Sequence, residues 1–453
     1  MLAPAAAAGC PYCFDPDSTS LREALSRHAP SAGAPIPAAA LAEDVRWYHG
    51  LLRRQYAGYI DLVRHPSFDV NAFFAAWAET LRCSGSALPF RNAVVEPLIT
   101  LRLAVPDGHL TFRGADPLVG ADARIAAYEY QAVVRAAPTA GPEAVAAVPG
   151  VWPSTWRTAP LLRVGGSVTT VATLSARGRG DSRTLSLANG DHLELHRRPP
   201  PPEAPGDQRA YTWRTVDDVA VITLRRFGGP PALQEQLRRF VGDYPRHVTA
   251  SSVLFDLRGN NGGSLGFILE WIAQARGGEA RGLAPLETAV WPWAGAWNRL
   301  VEDQIRHGDM DKEEAREERR RVRESWPSAA SPLRLLTVTN RAASPGPYEG
   351  RVFVAVDRGS GSSGERAAVD LRRLLGAILI GERTSGGMQY GQACRFVLPQ
   401  TGLVCQLPIR RIFFDQEVES VGFPVDVYLE DIGQAAEALI PHLDRIADVV
   451  RGE

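Results

Sequence analysis

Residues 352–365, VFVAVDRGSGSSGE, constrain this chain more than any other stretch. Val352 to Val356 form an apolar run of strand type. The run breaks into Gly and Ser, and a helical pattern of good helix formers follows, from Arg366 to Leu375. A strand that ends in small residues and re-enters as a helix sets a hydroxyl on a sharp corner. Small neighbours let another backbone approach, and a helix N-terminus offers free N–H groups to a developing anion. A nucleophilic serine needs that geometry. On these residues alone an ordinary Gly/Ser loop is the alternative.

The rest of the chain alternates in a way that suits such a corner. Val219–Leu224 and residues 252–257 read as buried strands, with a helix predicted over 232–241 between them. RGNNGGS, residues 258–264, follows the second strand, and a helix is predicted over 265–276. Adjacent glycines at a strand end leave backbone N–H groups uncovered, able to point at an oxyanion. GAILIG, 376–381, is a further buried strand, followed by the Gly-rich ERTSGGMQYGQ. Strands alternating with crossover helices predict an α/β or α+β core with a mixed sheet.

Four regions are expected. Residues 1–35 are a tail or signal remnant. Residues 36–112 are helical, with Asp69 placed to cap a helix, and end at the turn Pro106-Asp107-Gly108-His109. Residues 113–208 form a small β-rich module, and 209–453 the core, with an insertion at about 277–330. A last helix is predicted near 434–445. In the module His192, Glu194 and His196 share one strand face. Leu193 and Leu195 facing a core, with the polar set in water, is the better reading than a metal site.

At 453 residues with a net charge of −1, the chain has material for a large core and no electrostatic case for nucleic acid. The charged run 311–325 balances Glu against Arg, as a solvated helix does. No apolar run is long enough to span a bilayer. LAPAAAAG, residues 2–9, resembles the end of an export signal, which predicts a periplasmic or secreted location, with cytoplasmic as the alternative. The pair Cys10/Cys13 sits in the tail and reads as something other than a redox motif. Cys394 and Cys405 flank a predicted hairpin, where either a cross-strand disulfide or two reduced thiols would fit.

DLRGNNGG at 256–263, Ser362-Ser363-Gly364-Glu365, GAILIGERTSGG at 376–387 and VESVGFPVD at 418–426 together resemble the tail-specific, or C-terminal-processing, serine peptidases. PDGH at 106–109 and AEDVRWYHGLLRRQYAGY at 42–59 are similar to the lysine-free, tricorn-core-like branch. The likeness covers about 40–112 and 210–445. It implies a ClpP/crotonase-like core, with the β-rich module where relatives carry a PDZ domain; no PDZ carboxylate-binding loop is evident. It implies Ser362 as nucleophile, three residues before Glu365, with Ser360 and Ser363 as bystanders. The Ser/Lys subgroup draws its base from a position that here is Gly387, and the chain's one lysine, Lys312, lies in the charged insertion. The lysine-free branch implies His109 as base and Glu419 as its orienting acceptor. Those relatives carry a serine before the histidine; here Gly108 stands there, and either Asp107 fills that role or nothing does.

The expected function is therefore hydrolysis of peptide bonds by Ser362, His109 and Glu419. Backbone N–H groups of Gly262 or Gly263 and of Ser363 would hold the oxyanion. The partner is a peptide or protein substrate, with no cofactor and no metal. Two alternatives are a catalytically silent binding or scaffold protein on the same fold, and an acyl hydrolase or transferase acting on small molecules.

Overall fold

The computed structural model describes residues 35–105, 107–112, 126–133, 156–178, 182–187, 190, 192–197, 209–277, 287–291, 313, 316, 334–338, 348–414 and 418–452. Cys10, Cys13 and Lys312 lie outside the described residues.

The chain opens with helices α1 (Ala38–Gln55), α2 (Val70–Cys83) and α3 (Glu96–Ala104). Asp69 caps α2, its carboxylate accepting the N–H groups of Asn71 and Ala72. Strand β1 (Thr111–Phe112) follows. Next come β2 (Ala126–Val133), β3 (Arg157–Leu162), β4 (Val168–Gly178), β5 (Ser182–Ser186) and β6 (His192–Arg197). Then β7 (Tyr211–Val216) and β8 (Val219–Leu224) lead into helix α4 (Pro231–Gly242), β9 (Ser252–Asp256) and helix α5 (Gly266–Ala275). Strands β10 (Glu287–Trp291), β11 (Arg334–Val338) and β12 (Arg351–Val356) precede helix α6 (Ser363–Leu375). The chain closes with β13 (Ile378–Gly381), β14 (Tyr390–Val397), β15 (Val404–Phe413), β16 (Val427–Leu429) and helix α7 (Leu443–Arg451).

The main sheet runs β5-β6-β2-β4-β3-β16-β13-β12-β9-β8-β7. From β3 to β8 the pairings are parallel, and the outer pairings are antiparallel. Strands buried on both faces need no polar alternation, which is why residues 253–255 of β9 and 352–356 of β12 read as unbroken apolar runs. In β12, Val352, Val354 and Val356 pack under α4, α5 and α6 beside Phe240, Trp271 and Leu371. Phe353 and Ala355 face the opposite way, against Leu439, Leu443 and Ile446 near the C-terminus. The β-rich stretch joins this same sheet through β3 and β16. Its His192, Glu194 and His196 are exposed while Leu193 and Leu195 are fully buried, so that strand face is solvated.

A second sheet runs β11-β10-β15-β14, with β1 on β15. The segment expected as an insertion thus supplies strand β10 to a sheet that faces the N-terminal helices. Tyr48, Leu52, Phe74, Trp77 and Phe112 share one core with Phe396, Cys405 and Leu407 of the hairpin. Asp44 of α1, fully buried, takes the N–H groups of Gln400 and Thr401 at 2.9 and 2.7 Å and so clamps the hairpin turn.

Of the two fits open for the hairpin cysteines, the structure holds the reduced one: Cys394 and Cys405 are buried and neither is in a disulfide. Cys394 stands opposite Leu407, and Cys405 opposite Phe396. The two thiols are therefore diagonal neighbours, and diagonal Cβ atoms are too far apart for a bridge. The last helix lies further on than expected. Residues Ala436–His442 form a 3-10 segment containing Pro441, and the α-helix begins only at Leu443. Pro441 lacks the N–H that an α-helix interior requires.

Candidate active site

In a parallel sheet the loops after adjacent strands emerge at the same edge. Strands β9 and β12 are neighbours, so loop 257–264 and loop 357–362 meet there. Both are locked from beneath. Burial pushes the Asp256 carboxyl up, but Arg258 and Arg225 outweigh it and hold it below the usual range, with contacts of 2.8 Å from each arginine. Asp357 accepts the N–H groups of Gly259 and Gly359 at 2.8 and 2.9 Å. Asn260 joins the two loops, its carbonyl taking the Gly361 N–H at 2.9 Å. A Cβ on Gly364 would lie 2.1 Å from that same carbonyl oxygen, so this crossing requires glycine.

The three serines of the corner have different partners. Ser360 is fully buried, and its hydroxyl donates to the Leu257 carbonyl at 2.8 Å. Ser363, at the start of α6, donates its hydroxyl to the Gly263 carbonyl at 2.7 Å. Ser362 is half-buried and holds φ 50°, a value that side chains other than glycine seldom adopt. It is the N-cap of α6, and its N–H donates to Glu365 Oε2 at 3.2 Å. A Cβ built on Gly262 would fall 2.9 Å from the Ser362 Cβ, so the glycine loop rests directly against the corner. The Gly262 N–H donates to Asn260 Oδ1 at 3.0 Å. The exposed backbone of Gly263 follows, with φ 130°.

Glu365 is more than the marker that fixes the serine's position in the sequence. Fully buried, it accepts the Gly386 and Gly387 N–H groups at 2.7 Å each, the Ser385 hydroxyl at 3.3 Å, and the Thr384 hydroxyl. Burial raises its pKa, and these donors oppose the rise. One carboxylate thereby ties the loop after β13 to the start of α6. Sequence reasoning missed this role. The available signal was the acid at N3 of a helix together with a glycine pair elsewhere.

Gly387 leads to the third group. A Cβ there would lie 3.8 Å from His109 Cε1 and 3.9 Å from Glu365 Oε2. The imidazole edge borders the space that a side chain longer than alanine would take. His109, Asp107 and Glu419 each present a ligating atom within 4.8 Å of the others. This is also the one group among the described residues spaced closely enough to hold a metal ion. Asp107 is fully buried; its Oδ1 accepts the His109 N–H at 2.8 Å, and its Oδ2 accepts the Tyr56 hydroxyl at 3.0 Å. His109 Nδ1 stands 3.8 Å from Asp107 Oδ1. Glu419 accepts the Gln389 N–H at 2.9 Å and, more loosely, the Gly108 N–H at 3.4 Å. Its loop is pinned by the Ser420 N–H, which donates to the Gly386 carbonyl at 2.6 Å.

Burial, and then the negative charges of Asp107 and Glu365, push Glu419 well above the usual carboxylate range. Burial likewise raises Asp107 to about 7, against the N–H of His109, the Tyr56 hydroxyl and Arg102. An unfolded aspartate titrates near ~3.9. The folded value is the higher one, so Asp107 stabilises the fold most below about pH 4, and this contribution is lost as pH rises through 7. Asp107→Asn removes the ionisation. The variant should gain melting temperature relative to the parent at pH 8 and gain less, or lose, at pH 5. A difference between variant and parent that stays constant with pH would remove the buried acid from the account.

Residues 295–427 match peptidase family S41. The matched span contains the Ser362 corner, Glu365, Gly387 and Glu419. No curated protein sequence matches the chain. Among solved structures, mature CPAF complexed with lactacystin is 13% identical over 92% of this chain and 99% of its own, with a TM-score of 0.47. The photosystem II D1 C-terminal processing protease is 12% identical over 87% of this chain and 94% of its own, with a TM-score of 0.39. The tricorn protease is 17% identical over 52% of this chain and 18% of its own, with a TM-score of 0.27. The segment that carries the serine corner is thus similar to peptidase family S41, a family of serine-type peptidases.

Proposed function

We propose that Ser362 is the nucleophile of this peptidase, His109 its general base and Glu419 the acceptor that orients the imidazole. The observation that carries the reading is the corner itself. Ser360 and Ser363 give their hydroxyl protons to backbone carbonyls, and Ser362 stands between them in a strained backbone conformation at a helix N-terminus. In this reading Ser362 Oγ attacks the scissile carbonyl carbon while His109 takes the hydroxyl proton. The amine leaves with that proton, and water then repeats the sequence on the acyl-enzyme. The oxyanion is held by the N–H groups of Gly263 and Ser363, because the Gly262 N–H is already bonded to Asn260. Asp107 lies close enough to share the stabilisation of the imidazolium with Glu419.

The tail-like residues 2–9 support a location outside the cytoplasm; the unbridged Cys394 and Cys405 add nothing to it. A fluorophosphonate probe tests the chemistry. It should label the native protein on the peptide containing Ser362, and the protein should turn over peptides rather than simple esters alone. No label would favour the silent binder, and ester turnover without peptide turnover would favour the acyl hydrolase.

A further inference from the structure

The strip 226–229 follows β8 and borders the glycine loop. The Phe227 N–H donates to the Gly262 carbonyl at 2.9 Å, and the Ser264 N–H donates to the Phe227 carbonyl at 2.7 Å. The two segments are therefore fixed relative to one another and to Ser362. Between them lies a cleft of about 380 Å³, lined by Arg226, Gly228, Gly229, Asn261, Gly262 and Gly263. Four of these six residues are glycines, three of which hold positive φ values: Gly229, Gly262 and Gly263. Backbone without side chains is what an extended peptide needs in order to lie close.

Among the described lining residues one is charged. Arg226 is exposed and forms no ion pair or hydrogen bond among the described residues. Its neighbour Arg225 is the contrast: it is tied to Asp256 Oδ2 at 2.8 Å and to the Arg258 carbonyl at 2.7 Å. A guanidinium presented beside bare backbone, with no acid among the described lining residues, is built to meet a carboxylate that arrives from outside.

We infer that Arg226 is a specificity residue that binds a substrate carboxylate next to the scissile bond. This rests on the reading of Ser362 as nucleophile, since it is the glycine loop against Ser362 that puts the cleft beside the reacting carbonyl. The carboxylate has two possible sources, an acidic side chain or the free C-terminus of the substrate, and both make the same pair of hydrogen bonds to the guanidinium.

The test uses a mixture of random decapeptides made as free acids and as C-terminal amides, with cleavage sites and rates read by mass spectrometry. The wild type should cleave carboxylate-bearing peptides roughly tenfold to a hundredfold faster in kcat/KM than neutral ones, the range set by a charge-assisted hydrogen bond. Selection for Glu or Asp near the cut in both pools assigns the side chain. Selection for acids over amides with cuts near the terminus assigns the terminal carboxylate. In Arg226→Gln the ratio should fall to about one. Arg226→Lys should restore part of it, and Arg226→Glu should turn the preference towards basic peptides. A preference that survives Arg226→Gln, or a wild type that cleaves without any, overturns the inference while leaving Ser362 in its role. A wild type that cleaves no peptide removes the peptidase reading and the inference together.

Discussion

Ser362→Ala is expected to abolish covalent labelling and to lower kcat/KM on peptides by roughly four to six orders of magnitude, the range for loss of an activated serine. The fold should survive the change. Most contacts that hold the corner belong to the backbone and to other side chains: the Ser362 N–H on Glu365, the Gly361 N–H on Asn260, and Ser360 on Leu257. Alanine keeps these and gives up only the half of the capping box in which the Ser362 hydroxyl accepts the Glu365 N–H, a cost of about 1 kcal/mol. It also keeps the strain of φ 50°, which serine already bears. The melting temperature should therefore stay within a few degrees of the parent. Ser363→Ala is the control. It removes a hydroxyl that donates to the Gly263 carbonyl, so it loosens the oxyanion loop and should cost about tenfold. It leaves the Ser363 N–H in place. Full labelling of Ser362→Ala, with loss in Ser363→Ala, would move the nucleophile by one residue.

Much of the core was legible because its signals are local. β9 and β12 have apolar centres and each runs out into a Gly-rich loop, and a strand–loop–helix order has few ways to fold. The Ser362 corner lies within fourteen residues of sequence and carries its own signature. Other features are non-local. Gly108 and Glu419, the acid that accepts its N–H, are separated by 311 positions, and no spacing rule connects them. Only the family resemblance put His109 and Glu419 on the same page. Asp44 reads as an ordinary helix-surface acid, yet it is fully buried against a turn more than 350 residues away, bonded to Gln400 at 2.9 Å. Glu365 was seen as a position and not as an acceptor, because its donors come from a different loop. The state of the two hairpin cysteines stayed open for a register reason: two residues of offset separate a bridgeable pair from a diagonal one.

His109→Ala should lower kcat/KM by about three to five orders of magnitude, and Glu419→Gln by less, because the acid orients the imidazole and does not itself move the proton. Glutamine keeps the volume, and its one carbonyl oxygen can keep the 2.9 Å bond from the Gln389 N–H while the looser 3.4 Å bond from Gly108 is given up, so the variant removes the charge at nearly constant shape. The double variant should be about as slow as His109→Ala alone, since an orienting group has nothing to orient once the imidazole is gone. In the parent, kcat/KM should rise with pH through the neutral range. Two ionisations act in that same direction. An ordinary imidazole gives up its proton near ~6.5 and becomes a base. Asp107, raised to about 7 by burial, becomes a carboxylate that stabilises the imidazolium formed during attack. Asp107→Asn should therefore make the limb simpler and move it to lower pH, because one of the negative charges that favour the protonated imidazole is removed. Lys312→Ala should leave both rate and profile unchanged. Near-parental turnover in His109→Ala, or a pH limb that ignores both Asp107→Asn and Glu419→Gln, would send the base elsewhere. His247 is a poor substitute: it is fully buried, bonded by Tyr211 and Trp271, and pushed down to about 4 by burial.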